Sequence, residues 1–302
     1  MQKYLIVLTG PTGIGKTKTG IQTAQHFNTE IVSADSRQIY KEMAIGTAVP
    51  DITELNIVKH HFIQTHSVHE VYNASRYENE ALKVINSVLE TRNLVLLVGG
   101  SMLYIDAVCQ GIDIMPDADP EIRKVLTGKF ENEGLESLRF QLKKMDPVYF
   151  NSVDLKNPKR IIHALEISIQ TGKPYSSFLS NPKKIRPFSI IKIGLNCDRE
   201  KLHNRINFRI DQMIDAGLEN EARNLYHLKY LNALNTVGYR ELFAFFDGKT
   251  TREKAIELIK RNSRRYARKQ LSWFRNENEM NWFEPEQVSE IIAFIKTRIS
   301  EQ

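Results

Sequence analysis

Eight consecutive residues near the start of the chain, Gly10, Pro11, Thr12, Gly13, Ile14, Gly15, Lys16 and Thr17, have the types and spacing to hold a diphosphate. They fit G-x-x-x-x-G-K-[S/T], placed after an apolar run and before a helical pattern, the setting that motif needs. The glycines let backbone N–H groups converge on phosphate oxygens, and the helix N-terminus behind them adds its positive end. Lys16 brings a full charge to the terminal phosphate, and the Thr17 hydroxyl is the expected ligand of Mg²⁺, the one cofactor implied. A nucleotide hydrolase also wants an acid at the end of a second core strand, to hold the metal and organise the attacking water. The best such strand, Leu94–Val98, runs into Gly99-Gly100-Ser101, with no acid. The acid that does end a strand is Asp35, followed by Ser36, Arg37 and Gln38. A cradle without the hydrolytic half fits group transfer. Either a diphosphate is held as leaving group while something attacks carbon, or a terminal phosphoryl passes to a small acceptor.

The elements that must position these residues follow from the apolar pattern. Tyr4–Thr9, Ile31–Asp35, Leu94–Val98 and Ile190–Asn196 read as four short buried strands, with helices between them such as Lys16–Phe27 and Ala74–Arg92. The alternation predicts an α/β fold, a P-loop NTPase-like doubly wound parallel sheet. Residues 113–187 break it, with helical patterns, prolines at 116, 120, 147, 158 and 174, and no convincing strand. Asp119-Pro120-Glu121 starts a helix there and Thr171-Gly172-Lys173-Pro174 stops one. The chain is thus expected to be a core of 1–112 and 188–302 with an all-helical domain, 113–187, inserted, and to be helical from Asp198 onward.

The 302 residues are enough for such a core, and two cysteines, Cys109 and Cys197, supply neither a disulfide framework nor a four-cysteine zinc site. A reducing cytoplasm is the expected setting, with no leader peptide and no membrane span. The adjacent pair His60-His61 points its side chains in different directions and has no acid or cysteine cluster beside it, so a structural or substrate-lining role is expected over zinc. The net charge of +6 is not spread evenly. Between Arg252 and Arg275 nine basic residues face two acids, a net of +7, which leaves the remainder near −1. Arg261, Arg264, Arg265, Arg268, Lys269 and Arg275 recur at three to four residues, along one face of a helix. A local basic stripe is the footprint of a polyanion partner, although such a face can also be merely solvated.

With the P-loop, the segments Asp35-Ser-Arg-Gln-Ile-Tyr40, Ile45-Gly-Thr-Ala48, His60-His61-Phe-Ile63, Gly99-Gly-Ser-Met-Leu-Tyr104 and Arg268-Lys-Gln-Leu-Ser-Trp-Phe-Arg275 make the sequence closely resemble the tRNA dimethylallyltransferases, or tRNA isopentenyltransferases. The correspondence runs in order from about Leu8 to Arg275 and takes in Asp146-Pro147, Ala164-Leu165-Glu166, Thr171-Gly172-Lys173 and Gly238-Tyr239-Arg240. The resemblance implies that N6 of an adenosine, position 37 just 3′ of the anticodon, attacks C1 of dimethylallyl diphosphate and pyrophosphate leaves. It implies Asp35 as the general base that relieves the weakly nucleophilic amine of a proton. Lys16, the loop amides and Mg²⁺ would stabilise the leaving group. Arg205 and Arg209, four apart on one helix, would add to it or pair with Asp211 or Glu200 on a solvated face.

The family usually has threonine at the place of Ser101. The hydroxyl is retained, so hydrogen bonding to substrate beside Asp35 is expected, with a changed rate. The target base must be flipped out of the anticodon loop, at roughly a few kcal/mol. The contacts implied for the anticodon stem-loop are Asp35, Ser36, Arg37, Gln38, Ser101, Arg123, Lys159, Arg160, His163, Gly238, Tyr239, Arg240, Arg264, Arg265, Arg268 and Lys269. A single copy is expected to work alone. Three rivals stay open. An adenylate isopentenyltransferase would need neither the inserted domain nor the basic helix. A P-loop small-molecule kinase would use Asp35 for its acceptor and Arg205/Arg209 as lid arginines. A non-catalytic RNA-binding module would have no use for Lys16, Thr17 and Asp35 together.

Overall fold

A computed structural model describes residues 2–113, 115–116, 119–179, 184–277 and 279–301. The chain divides into two compact units, Met1–Gln110 with Ile185–Gln302, and Gly111–Lys184. The boundaries read from sequence, 113 and 187, lie two and three residues away.

The larger unit begins with β1 (Tyr4–Thr9), α1 (Lys16–His26), β2 (Ile31–Ala34), α2 (Ile52–Ile57), β3 (His60–His61), α3 (Ala74–Thr91), β4 (Leu94–Gly99) and α4 (Met102–Gln110). All residues of β1, β2 and β4 are buried, as expected of strands covered on both faces. After the inserted unit come β5 (Ser189–Leu195), α8 (Arg199–Asp215), α9 (Leu218–Asn224), α10 (Tyr239–Phe246), α11 (Arg252–Arg275), β6 (Met280–Phe283) and α12 (Val288–Ser300). The strands form one parallel sheet in the order β3-β2-β4-β1-β5-β6.

Two of these strands were not foreseen. The His60–His61 pair is a two-residue edge strand, and β6 lies at the opposite edge, inside the stretch after Asp198 expected to be only helical. Strands of two and four half-buried residues are too short to carry a periodic signal. His60 Nδ1 is 2.7 Å from the Val58 carbonyl and His61 Nε2 is 2.6 Å from Glu30, so both rings are engaged structurally. Among the described residues no group of three or more His, Cys, Asp or Glu could hold a metal ion, and no helix is long and apolar enough to cross a membrane.

The register puts one end of the sheet in a single row. Thr9 pairs with Gly99 and with Gly194, and Ala34 pairs with Gly99. The chain therefore leaves β1, β2 and β4 side by side into Gly10, Asp35 and Gly100. That is the carboxyl edge where parallel α/β sheets bind ligands.

The smaller unit holds α5 (Pro120–Met145), interrupted at Gly134, α6 (Pro147–Ser152) and α7 (Pro158–Thr171). Its own core gathers Leu126, Leu138, Leu142, Ile161, Leu165 and Tyr175. Asp119 caps α5 and Gly172, left-handed, ends α7, as the sequence indicated. Asp146 is fully buried because it caps α6 through the Tyr149 N–H and also accepts from the Ser176 amide and hydroxyl.

Candidate active site

The loop between β1 and α1 turns on Gly10, Gly13 and Gly15, all at positive φ. At Gly13 the requirement is double: φ is 78°, and a Cβ would lie 2.8 Å from Ile206 on α8. Lys16, at the first position of α1, reaches back over the loop. Its Nζ donates to the carbonyls of Gly10 (3.0 Å) and Pro11 (2.9 Å). Burial around this ammonium lowers its pKa from 10.5 to about 8, with the Asp35 charge opposing the drop and Arg209 adding to it. Thr17 follows, half-buried, and its hydroxyl makes no hydrogen bond to any described residue.

Asp35 leaves β2 into an Asx turn: its Oδ1 accepts the amides of Arg37 (2.9 Å) and Gln38 (3.2 Å). Ser101, buried at the end of the β4 turn, accepts the Ser36 N–H at 2.8 Å and donates its own amide to Ala34 at 3.0 Å. The hydroxyl expected to meet substrate therefore first ties the Gly-Gly-Ser turn to the backbone beside Asp35. The Gln38 amide donates to the carbonyls of Thr47 (3.1 Å) and Ala48 (2.9 Å), so it braces the following loop.

One cavity of about 320 Å³ opens on this edge. Thr12, Gly13, Asp35, Ser36, Arg37 and Ser101 form its polar end; Ile206, Ile210, Met213, Leu218, Val237 and Ile259 give it an apolar wall. Arg209, Gly238, Arg240 and Tyr266 complete the rim. Arg209 makes no hydrogen bond or ion pair with any described residue, and burial lowers its pKa against the pull of Asp35 and Glu54. Arg205 behaves differently. It donates to the Ile14 carbonyl (3.1 Å) and pairs with Glu286 (2.5 Å), while Asp211 pairs with Lys260. The two arginines do not act as a pair, and neither is held by Asp211 or Glu200.

One residue expected at the tRNA surface sits in the interior instead. Tyr239 is fully buried, so the contact assigned to it is corrected. Its hydroxyl donates to Glu221 Oε1 at 2.6 Å, and the same carboxylate accepts the amides of Ala44, Ile45 and Gly46. Tyr239 and Glu221 thus hold the loop whose Gly46 and Thr47 line the cavity. Arg264 donates to Asn207 at 2.5 Å, and Lys260, Arg252 and Lys254 pair with acids. Arg261, Arg265, Arg268, Lys269 and Arg275 are exposed on α11 and form no ion pair among the described residues. Within the smaller unit, Lys159 and Arg160 are exposed on the first turn of α7. Arg123 pairs with the fully buried Glu166 at 2.6 Å, and His163 lies 3.6 Å from the same carboxylate.

Sequence reading missed Glu221, Tyr266 and Gln270. A second stripe on α11 has helical spacing, with Ile259, Ser263 and the partly exposed Tyr266 lining the cavity and Gln270 buried behind them, but the basic stripe dominates the same helix. Tyr266 is the one aromatic ring among the described cavity-lining residues. Its hydroxyl pKa rises to about 12, chiefly by burial and then by the charge of Asp35.

The IPP transferase family model matches residues 38–277. The chain belongs to the IPP transferase family. It is therefore a prenyl-transferring enzyme. It is 50% identical to tRNA dimethylallyltransferase 1 of Bacteroides fragilis, over 98% of this chain and 99% of that protein. It is 52% identical to tRNA dimethylallyltransferase 2 of Azobacteroides pseudotrichonymphae, over 95% and 94%. The crystal structure of the tRNA isopentenylpyrophosphate transferase from Bacillus halodurans covers all of this chain and 98% of its own, at 35% identity and a TM-score of 0.74.

Proposed function

We propose that the chain transfers a dimethylallyl group from dimethylallyl diphosphate to N6 of the adenosine 3′ of the anticodon, position 37 of tRNA. The observation that carries the reading is the cavity itself: phosphate loop, Asp35 and an apolar wall meet in one space within one unit. The diphosphate lies in the loop from Gly10 to Thr17, held by backbone amides, Lys16 and the unpaired Arg209. The five-carbon tail takes the wall of Ile206, Ile210, Met213 and Val237. The everted adenine enters beside Asp35. N6 bonds to C1 as the C1–O bond breaks, its proton goes to Asp35, and the electron pair leaves on pyrophosphate. Thr17, whose hydroxyl has no protein partner among the described residues, would hold Mg²⁺ beside the diphosphate. When bound it neutralises charge on the diphosphate. With two cysteines, one of them buried, a reducing cytoplasm is the proposed setting and a single chain the working unit.

The test is incubation with unmodified tRNA and labelled dimethylallyl diphosphate, then digestion to nucleosides. Label in N6-dimethylallyladenosine is expected. Label only in free AMP, or a phosphorylated product at the expense of ATP, would replace this reading with another.

Two further results follow from the rim. Tyr266 supplies the aromatic face against which the base stacks. Tyr266→Leu is expected to cost about 1–3 kcal/mol, roughly 5- to 150-fold in kcat/KM for tRNA, with donor KM unchanged and Tyr266→Phe close to wild type. Equal losses in the two variants would reject the stacking role. Neutralising Arg265, Arg268 and Lys269 should weaken tRNA binding and shrink its salt slope by roughly 0.7–0.9 for each phosphate left without its cation. An unchanged slope would mean that this face meets only solvent.

A further inference from the structure

Gln270 is 2% exposed, on the inward stripe of α11, and both ends of its carboxamide are hydrogen-bonded. Its Oε1 accepts the Thr12 N–H at 2.8 Å and its Nε2 donates to the Gly100 carbonyl at 2.8 Å. The Thr12 N–H belongs to the same rigid peptide plane as the Pro11 carbonyl, which accepts Lys16 Nζ at 2.9 Å. Gln270 and Lys16 therefore hold opposite ends of one peptide unit. Turning that plane would carry the Pro11 carbonyl away from the ammonium. The third corner is Gly100, where an added Cβ would lie 2.4 Å from Gln270 Nε2 and 3.4 Å from Lys16 Nζ. Only glycine lets the carboxamide approach.

We propose that Gln270 is a positioning residue of the donor site, which sets the Pro11–Thr12 peptide and through it the place of the Lys16 ammonium. The inference rests on the reading of the loop as a diphosphate cradle. It makes the cradle's geometry depend on α11, the helix that also carries the cations Arg261, Arg265, Arg268, Lys269 and Arg275, exposed and in no ion pair among the described residues.

The test measures binding of inorganic pyrophosphate, and KM and kcat with dimethylallyl diphosphate and tRNA, for wild type, Gln270→Met and Gly100→Ala. Met keeps the length of the side chain and removes both hydrogen bonds; Ala at 100 pushes the carboxamide away from the other side. Each variant is expected to weaken pyrophosphate binding and raise donor KM at least tenfold, with tRNA affinity within about twofold. The double variant should lose little more than either single one, because both break the same link. Failure of wild type to bind pyrophosphate would overturn the cradle itself. Wild-type binding with a folded Gln270→Met variant within twofold of it would overturn the role of Gln270 and leave the cradle standing. Should the variants not fold, the unaltered protein still decides. The Gln270 side-chain amide resonance is expected to move when pyrophosphate is added, and an unmoved resonance would reject the proposal.

Discussion

Asp35→Asn is expected to lower turnover roughly 10²–10⁴-fold, the usual contribution of a positioned general base, while tRNA binding is kept. Asparagine is the informative replacement because Asp35 has two duties. Its Oδ1 closes the turn through the amides of Arg37 and Gln38, and an asparagine oxygen can still accept both. What asparagine lacks is the charge and the basicity. Asp35→Ala would remove the turn as well and blur the result. Rates measured at saturating donor and tRNA, beside a direct tRNA-binding curve, separate the two duties. Near-normal turnover in Asp35→Asn would assign the base elsewhere.

Lys16→Met is expected to cut kcat/KM for dimethylallyl diphosphate roughly 10²–10³-fold, the range seen when one preorganised donor to a developing anion is removed. The pH profile gives a second signature. With its pKa drawn down to about 8, the ammonium is charged below that pH and neutral above it. Donor capture by the free enzyme should therefore weaken as pH climbs through about 8. A bound diphosphate holds the proton in place, so the fall should appear in kcat/KM before it appears in kcat. The Lys16→Met variant should lack this alkaline fall. A wild-type profile flat from roughly pH 7 to 9.5 would mean that Lys16 stays charged without substrate, or is not needed for capture.

The parts of this protein written in short-range pattern were legible in the sequence. Buried runs gave the four central strands, and the phosphate loop stood out because a chemical pattern coincided with a strand-to-helix junction. Asp119 and Gly172 marked helix ends through local capping chemistry. What stayed hidden depends on distance along the chain. Glu221 reaches back some 175 residues to the amides of Ala44, Ile45 and Gly46, and an acid on a short helix carries no sign of that role. The family segment Gly238-Tyr239-Arg240 implies a tRNA contact for Tyr239; only packing shows that its ring is interior and its hydroxyl taken by Glu221. On α11 two stripes share one helix, and the charged one dominates the composition. The inward one, with Tyr266 and Gln270, becomes readable only once the sheet's carboxyl edge supplies something to face. Arg205 and Arg209 sit at equivalent helical spacing, yet Glu286 claims the first and leaves the second at the cavity.

A structure of the protein with a non-hydrolysable dimethylallyl diphosphate analogue and an anticodon stem-loop tests the central claim most directly. The diphosphate is expected along the loop from Gly10 to Thr17, with the everted adenine's N6 within hydrogen-bond reach of Asp35 and its ring against Tyr266. A nucleoside triphosphate filling that loop, with no space beside Asp35 for an extruded base, would contradict it.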